Sequence, residues 1–137
     1  MKVVLLIVVM AMLTACASEP NIKNGPRVPA DRILNSKLVD PANGPANLIV
    51  ARWKDAWGSG TVDARVYLDG EHIANMGKGE VLNAHIAEGH HTVGVKLAGL
   101  DSVKAPIKTI DFNVASGGTE SVEIFYAGTA FDIQPYR

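Results

Sequence analysis

The stretch ARVYLDGEHIANMGKGEVLNAHIAEGHHTVGVKL, residues 64–97, decides the fold. Asp69-Gly70 stands between two short runs of strand-forming residues. A two-residue hairpin turn of type I′ needs positive φ at both central positions, and Asp-Gly meets that need readily. Val62, Ala64, Val66 and Leu68 share one face, with Asp63, Arg65 and Tyr67 opposite. Val93, Val95 and Leu97 alternate in the same way. Period-two alternation describes a strand with one face buried and one solvated, as antiparallel sheets provide. Glu88-Gly89 reads as a second hairpin turn. Pairing Ala87 with His90 sets Ile86 opposite His91, Ala84 opposite Val93 and Leu82 opposite Val95. A slip of one residue would turn that apolar set outward.

The same pattern extends on both sides of this stretch. Strand-like runs cover 47–53, 62–68, 71–76, 80–87, 90–97, 106–115, 120–127 and 129–136. Turn residues separate them, and the chain contains 13 glycines. Helical apolar spacing is not sustained anywhere in this part of the chain. Roughly seven or eight short strands in about 90 residues predict an all-β fold, an antiparallel sandwich of two sheets packed face to face. The alternation predicts Val66, Leu82, Val93, Val95, Ile110, Phe112, Val122 and Ile124 in its core.

The order strand, Asp-Gly, strand, Gly-rich turn, strand, Gly-x-His, strand resembles PEGA-type modules and a group of bacterial lipoproteins of the same plan. The positions that carry the resemblance are Val66, Leu68, Asp69, Gly70, Gly89, His90 and Val93. Ala87 and Glu88 stand where those modules commonly have a proline and a basic residue. The resemblance covers residues 64–97 and rests mainly on turn chemistry. It implies an immunoglobulin-like or transthyretin-like sandwich in an envelope protein that is not a catalyst.

The amino terminus suggests where the protein resides. Lys2 precedes an apolar run from Val3 to Leu13. A membrane-spanning helix needs about 20 apolar residues, whereas the h-region of a secretory signal needs about 7 to 15. Leu13-Thr14-Ala15-Cys16 then resembles the lipobox of bacterial lipoproteins, and Cys16 is the one cysteine of the chain. That resemblance implies cleavage before Cys16, a diacylglycerol on its thiol and acylation of the new amino terminus. Ala17, in place of an aspartate, leans toward the outer membrane, at its periplasmic face. A secretory cut at Ala15 that leaves a free thiol, and a buried structural cysteine, are the two alternatives. The expected organisation is a signal over 1–15, a lipidated cysteine and flexible tether over 16–30, and one domain over 31–137. As a random coil, the tether would hold the domain about 20 Å from its anchor. Ile33, Leu34, Leu38 and Val39 are expected to dock on the domain.

Loss of the signal removes Lys2 from the 13 basic residues and leaves all 14 acidic ones. Such a balance argues against a nucleic-acid partner, which needs a concentrated basic face. The chain carries no GxSxG elbow, P-loop, HExxH or dinucleotide glycine pattern. No catalytic residue, cofactor or metal is therefore assigned. His85 and His90 would lie diagonally across the expected second hairpin, but zinc normally takes three or four protein ligands. His91, on the apolar face, reads as a core-edge histidine.

The candidate binding residues are Trp53, Lys54 and Trp57 in RWKDAWGSGT, 52–61. Trp53 ends a strand with its ring expected in the core. Trp57 precedes Gly58-Ser59-Gly60 and either stands exposed as a recognition residue or folds over the open end of the sandwich. The expected function is a membrane-anchored, non-enzymatic interaction or assembly module with an envelope protein partner. The alternative is a small-molecule or glycan-binding lipoprotein that uses the Trp53–Trp57 loop.

Overall fold

The computed structural model describes residues 21–54, 62–98, 107–127 and 130–137. Eight strands form within them: β1 Ala46–Arg52, β2 Ala64–Leu68, β3 Glu71–Met76, β4 Val81–Ile86, β5 Gly89–Leu97, β6 Lys108–Val114, β7 Thr119–Tyr126 and β8 Phe131–Pro135. They make two four-stranded sheets, ordered β4-β1-β7-β8 and β3-β2-β5-β6, packed as a sandwich. Leu48 and Val50 of β1 meet Val66, Val93 and Val95 of the other sheet in the core, all fully buried. Six of the eight expected core residues are buried, and Ile110 and Phe112 of β6 pack half-covered at its margin.

The Asp69-Gly70 turn closes the β2–β3 hairpin, with φ of 50° and 85° at its two residues. Between Glu88 and Gly89 the expected hairpin does not form. β4 pairs with β1, Ala46 opposite Ile86 and Val50 opposite Leu82, while β5 pairs with β2 and β6. Residues 87–88 carry the chain from one sheet to the other. Glu88 does not take the positive φ that a type I′ turn requires, and Asp69 is the only non-glycine that does among the described residues. The apolar faces of β4 and β5 still line one core, but from different sheets instead of within one. One strand pair is parallel, β1 with β7, with β2 to β6 lying between them in the chain.

The segment assigned to a free tether is partly docked. The Val81 amide donates to the Pro26 carbonyl at 2.9 Å, and the Val28 amide donates to the Val81 carbonyl at 3.2 Å. Val28 itself is buried. The chain then crosses to the other sheet, where the Leu34 amide donates to the Ile73 carbonyl at 2.8 Å. Short 3-10 turns follow at Ser36–Val39 and Pro41–Asn43. Asn35 and Asp40 cap them, each accepting a backbone N–H two residues on. Residues 26–43 thus form a strap along one side of the sandwich, from edge strand β4 across to edge strand β3 and back to β4, where the Asn43 side chain donates to the His85 carbonyl at 2.6 Å. Of the four apolar strap residues expected to dock, Leu38 is buried and Ile33 is half-buried. Leu34 and Val39 remain 54% and 44% exposed. Gly44, which follows the strap, lies so close to β4 that an added β-carbon would sit 2.1 Å from the Ile86 carbonyl oxygen.

Candidate functional site

Cys16 and Trp57 lie outside the described residues. Trp53 and Lys54 lie within them, at the end of β1. Along β1, Leu48, Val50 and Arg52 point inward. Arg52 is fully buried, donates to the Met76 carbonyl at 2.6 Å and lies 4.6 Å over the Phe131 ring. Arg52 therefore takes the inward position expected for Trp53, and Trp53, one residue later, turns to the outer face. Its indole N–H donates to Glu123 Oε2 at 2.9 Å, and its ring sits 6.2 Å from that of Phe125. Gln134 donates to the other oxygen of Glu123. Glu123 is a buried carboxylate satisfied by two neutral donors. Lys54 is exposed, its aliphatic stem running over Gly79.

A second polar cluster ties the strap to the turn between β3 and β4. Glu80 is buried, and its Oε2 accepts the Gly77 amide at 2.6 Å across the Gly77–Glu80 turn. Its Oε1 is paired with Arg32 of the strap, which also approaches Asp63 at 3.6 Å. Sequence reasoning missed this clamp. A carboxylate three residues after a glycine turn was the available signal.

A third cluster joins the Asp69 turn to the crossover between the sheets. His91 Nδ1 lies 2.7 Å from Asp69 Oδ2, and Nε2 lies 2.9 Å from the Ala87 carbonyl oxygen. Asp69 Oδ1 accepts the Thr92 amide at 2.9 Å. Burial of the His91 ring opposes its charge. The hydrogen bonds to Asp69 and Ala87, with the Asp69 charge, outweigh that effect and raise its pKa above the ordinary value. Burial likewise opposes ionisation of Asp69. The bonds from His91 and Thr92, with the charges of His91 and His90, lower its pKa below the ordinary value. The histidine that reaches the Asp-Gly turn is thus His91, whereas the sequence match above was placed on His90.

His85 and His90, expected as diagonal neighbours, sit on β4 and β5 in different sheets. His72 stacks on Tyr67 with ring centroids 5.1 Å apart and bonds Asn75 at 2.9 Å. Among the described residues, no three His, Cys, Asp or Glu side chains group as metal ligands would. No helix among them is long and apolar enough to cross a membrane.

Between the strap and β4 runs an open groove of about 240 Å³. Val28, Ile33, Val81 and Leu82 give it an apolar lining, with Val39 on its lip. Arg27, Asn83 and His85 supply the polar side, and Arg27 Nη1 donates to Asn83 Oδ1 at 3.0 Å. No signal in the sequence marked these residues as a group, because a strap of short turns has no period to read.

No protein-family model, no curated protein and no solved structure matches this chain.

Proposed function

We propose that this chain is a lipoprotein of the bacterial envelope, anchored through Cys16, whose sandwich acts by contact with a protein partner and catalyses no reaction. The Leu-Thr-Ala-Cys box after a short apolar run supports the anchor. The observation that carries the contact reading is the strap. Residues 26–43 hydrogen-bond to β4 and β3 and close one side of the sandwich, with a groove left open in that closure. A tethered domain gains effective concentration at the membrane face, so modest affinity suffices for capture. The polar groups paired in these clusters serve the fold itself: Glu80 holds the strap, Asp69 and His91 join the β2–β3 turn to the crossover, and Glu123 holds Trp53. Glycan binding through the Trp53–Trp57 loop is the weaker reading, since the Trp53 indole N–H is engaged by Glu123 instead of facing a ligand.

Photo-crosslinking in native membranes tests the proposal. A discrete protein adduct should form with the wild type and fade with Cys16→Ser, which removes the anchor. Enrichment of glycan alone, with no protein adduct, would overturn it.

A further inference from the structure

We propose that the groove between the strap and β4 receives the carboxyl terminus of an envelope polypeptide, with its last apolar side chain on the groove floor and its carboxylate on Arg27. This deepens the contact reading above and rests on it. Three features of the groove define that occupant. The first is an interrupted backbone ladder. The Arg52 backbone amide donates to the Glu80 carbonyl, and Val50 and Leu48 of β1 lie opposite Leu82 and Ala84. Alternation in an antiparallel pair therefore directs the backbone groups of Val81, Asn83 and His85 away from β1. Pro26 and Val28 take those of Val81, and the Asn43 side chain takes the His85 carbonyl at 2.6 Å. The strap leaves the strand at Pro29, and no backbone partner meets Asn83 among the described residues. A short open edge remains between two closed ends. It fits a residue or two of extended peptide and excludes a full added strand.

The second feature is charge. Arg27 is exposed, its hydrogen bond goes to the neutral amide of Asn83, and no carboxylate pairs with it among the described residues. A guanidinium with donors to spare matches a carboxylate in geometry as well as in sign. The third is size. At about 240 Å³ the groove is smaller than the pockets of roughly 300–1,000 Å³ that hold drug-sized ligands. It has room for one large apolar side chain or two small ones, and not for a long acyl chain. An open edge, a carboxylate receptor and a side-chain pocket together define capture of a peptide carboxyl terminus.

The test uses the full mature chain in detergent and fluorescent pentapeptides ending in Val, Leu, Ile or Phe, each as free acid and as carboxamide. Anisotropy should show binding of at least one free acid, with its carboxamide weaker by about tenfold or more, as loss of a charge-assisted pair implies. Arg27→Gln should lose the same factor, and Arg27→Lys should keep part of it. Val39→Glu changes an exposed lip residue and should block binding while the melting curve stays unchanged. Failure of every free acid at millimolar concentration overturns the proposal, as does equal binding of acid and amide. Octanoate binding where no peptide does would also overturn it and assign the groove to a small amphiphile. If a crosslinked partner is still captured by Val39→Glu, the contact reading stands and the groove loses its role.

Discussion

Nδ1 of His91 lies 2.7 Å from Oδ2 of Asp69, while its Nε2 faces the Ala87 carbonyl oxygen at 2.9 Å. Both ring nitrogens meet acceptors, so both hydrogen bonds are made together only by the imidazolium. The pair joins the β2–β3 turn to the crossover between the sheets, and its strength depends on pH. His91 has a raised pKa in the fold, so its contribution is complete below the unfolded value of about 6.5 and is lost as pH rises through the folded value. Asp69 has a lowered pKa, so its contribution is complete above the unfolded value of about 3.9 and is lost as pH falls through the folded one. Both are complete between about pH 4 and 6.5. The melting temperature of the wild type should fall from pH 6 to pH 8, and His91→Gln should flatten that limb. Parallel curves for the two chains would remove the pair from the account.

The strap should open before the sandwich does. Glu80→Ala removes the acceptor for the Gly77 amide and the partner of Arg32. Leaving such partly buried groups unmet costs about 1–3 kcal/mol. Limited trypsin digestion at Arg27, Arg32 and Lys37 should quicken in this variant, while cleavage within the strands stays slow. Equal protection of the strap in both chains would show that Glu80 does not hold it.

The core ranks its own substitutions. Ile124 is fully buried, so Ile124→Ala should cost about 2–5 kcal/mol in urea unfolding. Phe112 lies half-covered on β6 and should cost less on truncation than the roughly 3–5 kcal/mol of a buried phenylalanine. The reverse order would mean that β6 is more deeply covered than its exposure indicates.

Cys16→Ser should abolish incorporation of a clickable fatty acid and leave the signal uncleaved. Undiminished labelling of the variant would place the lipid elsewhere and end the anchor reading.

All eight strands were legible in the sequence, because alternation such as Val66-x-Leu68 or Val93-x-Val95 is fixed by the burial of one face. Which strands pair was only partly legible. The Asp69-Gly70 turn encodes its own closure through two positive φ angles. Glu88-Gly89 does not, and the apolar face of β4 is satisfied equally by a hairpin neighbour or by a facing sheet. The position of Trp53 was misread because sequence alone does not show that an arginine, Arg52, takes the inward position before it. The strap was misread for a different reason. Short 3-10 turns and two isolated bridges, Arg27 with Val81 and Ile33 with Ala74, carry no periodicity, and Pro26 and Pro29 look like those of a free linker. Much of the candidate site is built from that strap, so much of it was hidden as well.

Trp53 gives the clearest separation between a structural and a binding role. Its indole N–H and the amide of Gln134 are the donors that satisfy the buried carboxylate of Glu123. Trp53→Phe keeps the ring beside Phe125 and deletes the N–H, leaving one oxygen of Glu123 without its donor. Such a loss costs about 1–3 kcal/mol in a buried site. Glu123→Gln should be milder, because a neutral amide is cheaper to bury and its oxygen still accepts the indole N–H. If Trp53 serves the fold, Trp53→Phe should lower the urea midpoint, and partner capture in native membranes should stay intact once the chain is folded. A variant of wild-type stability that fails to capture its partner would reverse the assignment. Trp53 would then belong to a binding surface at this end of the sandwich.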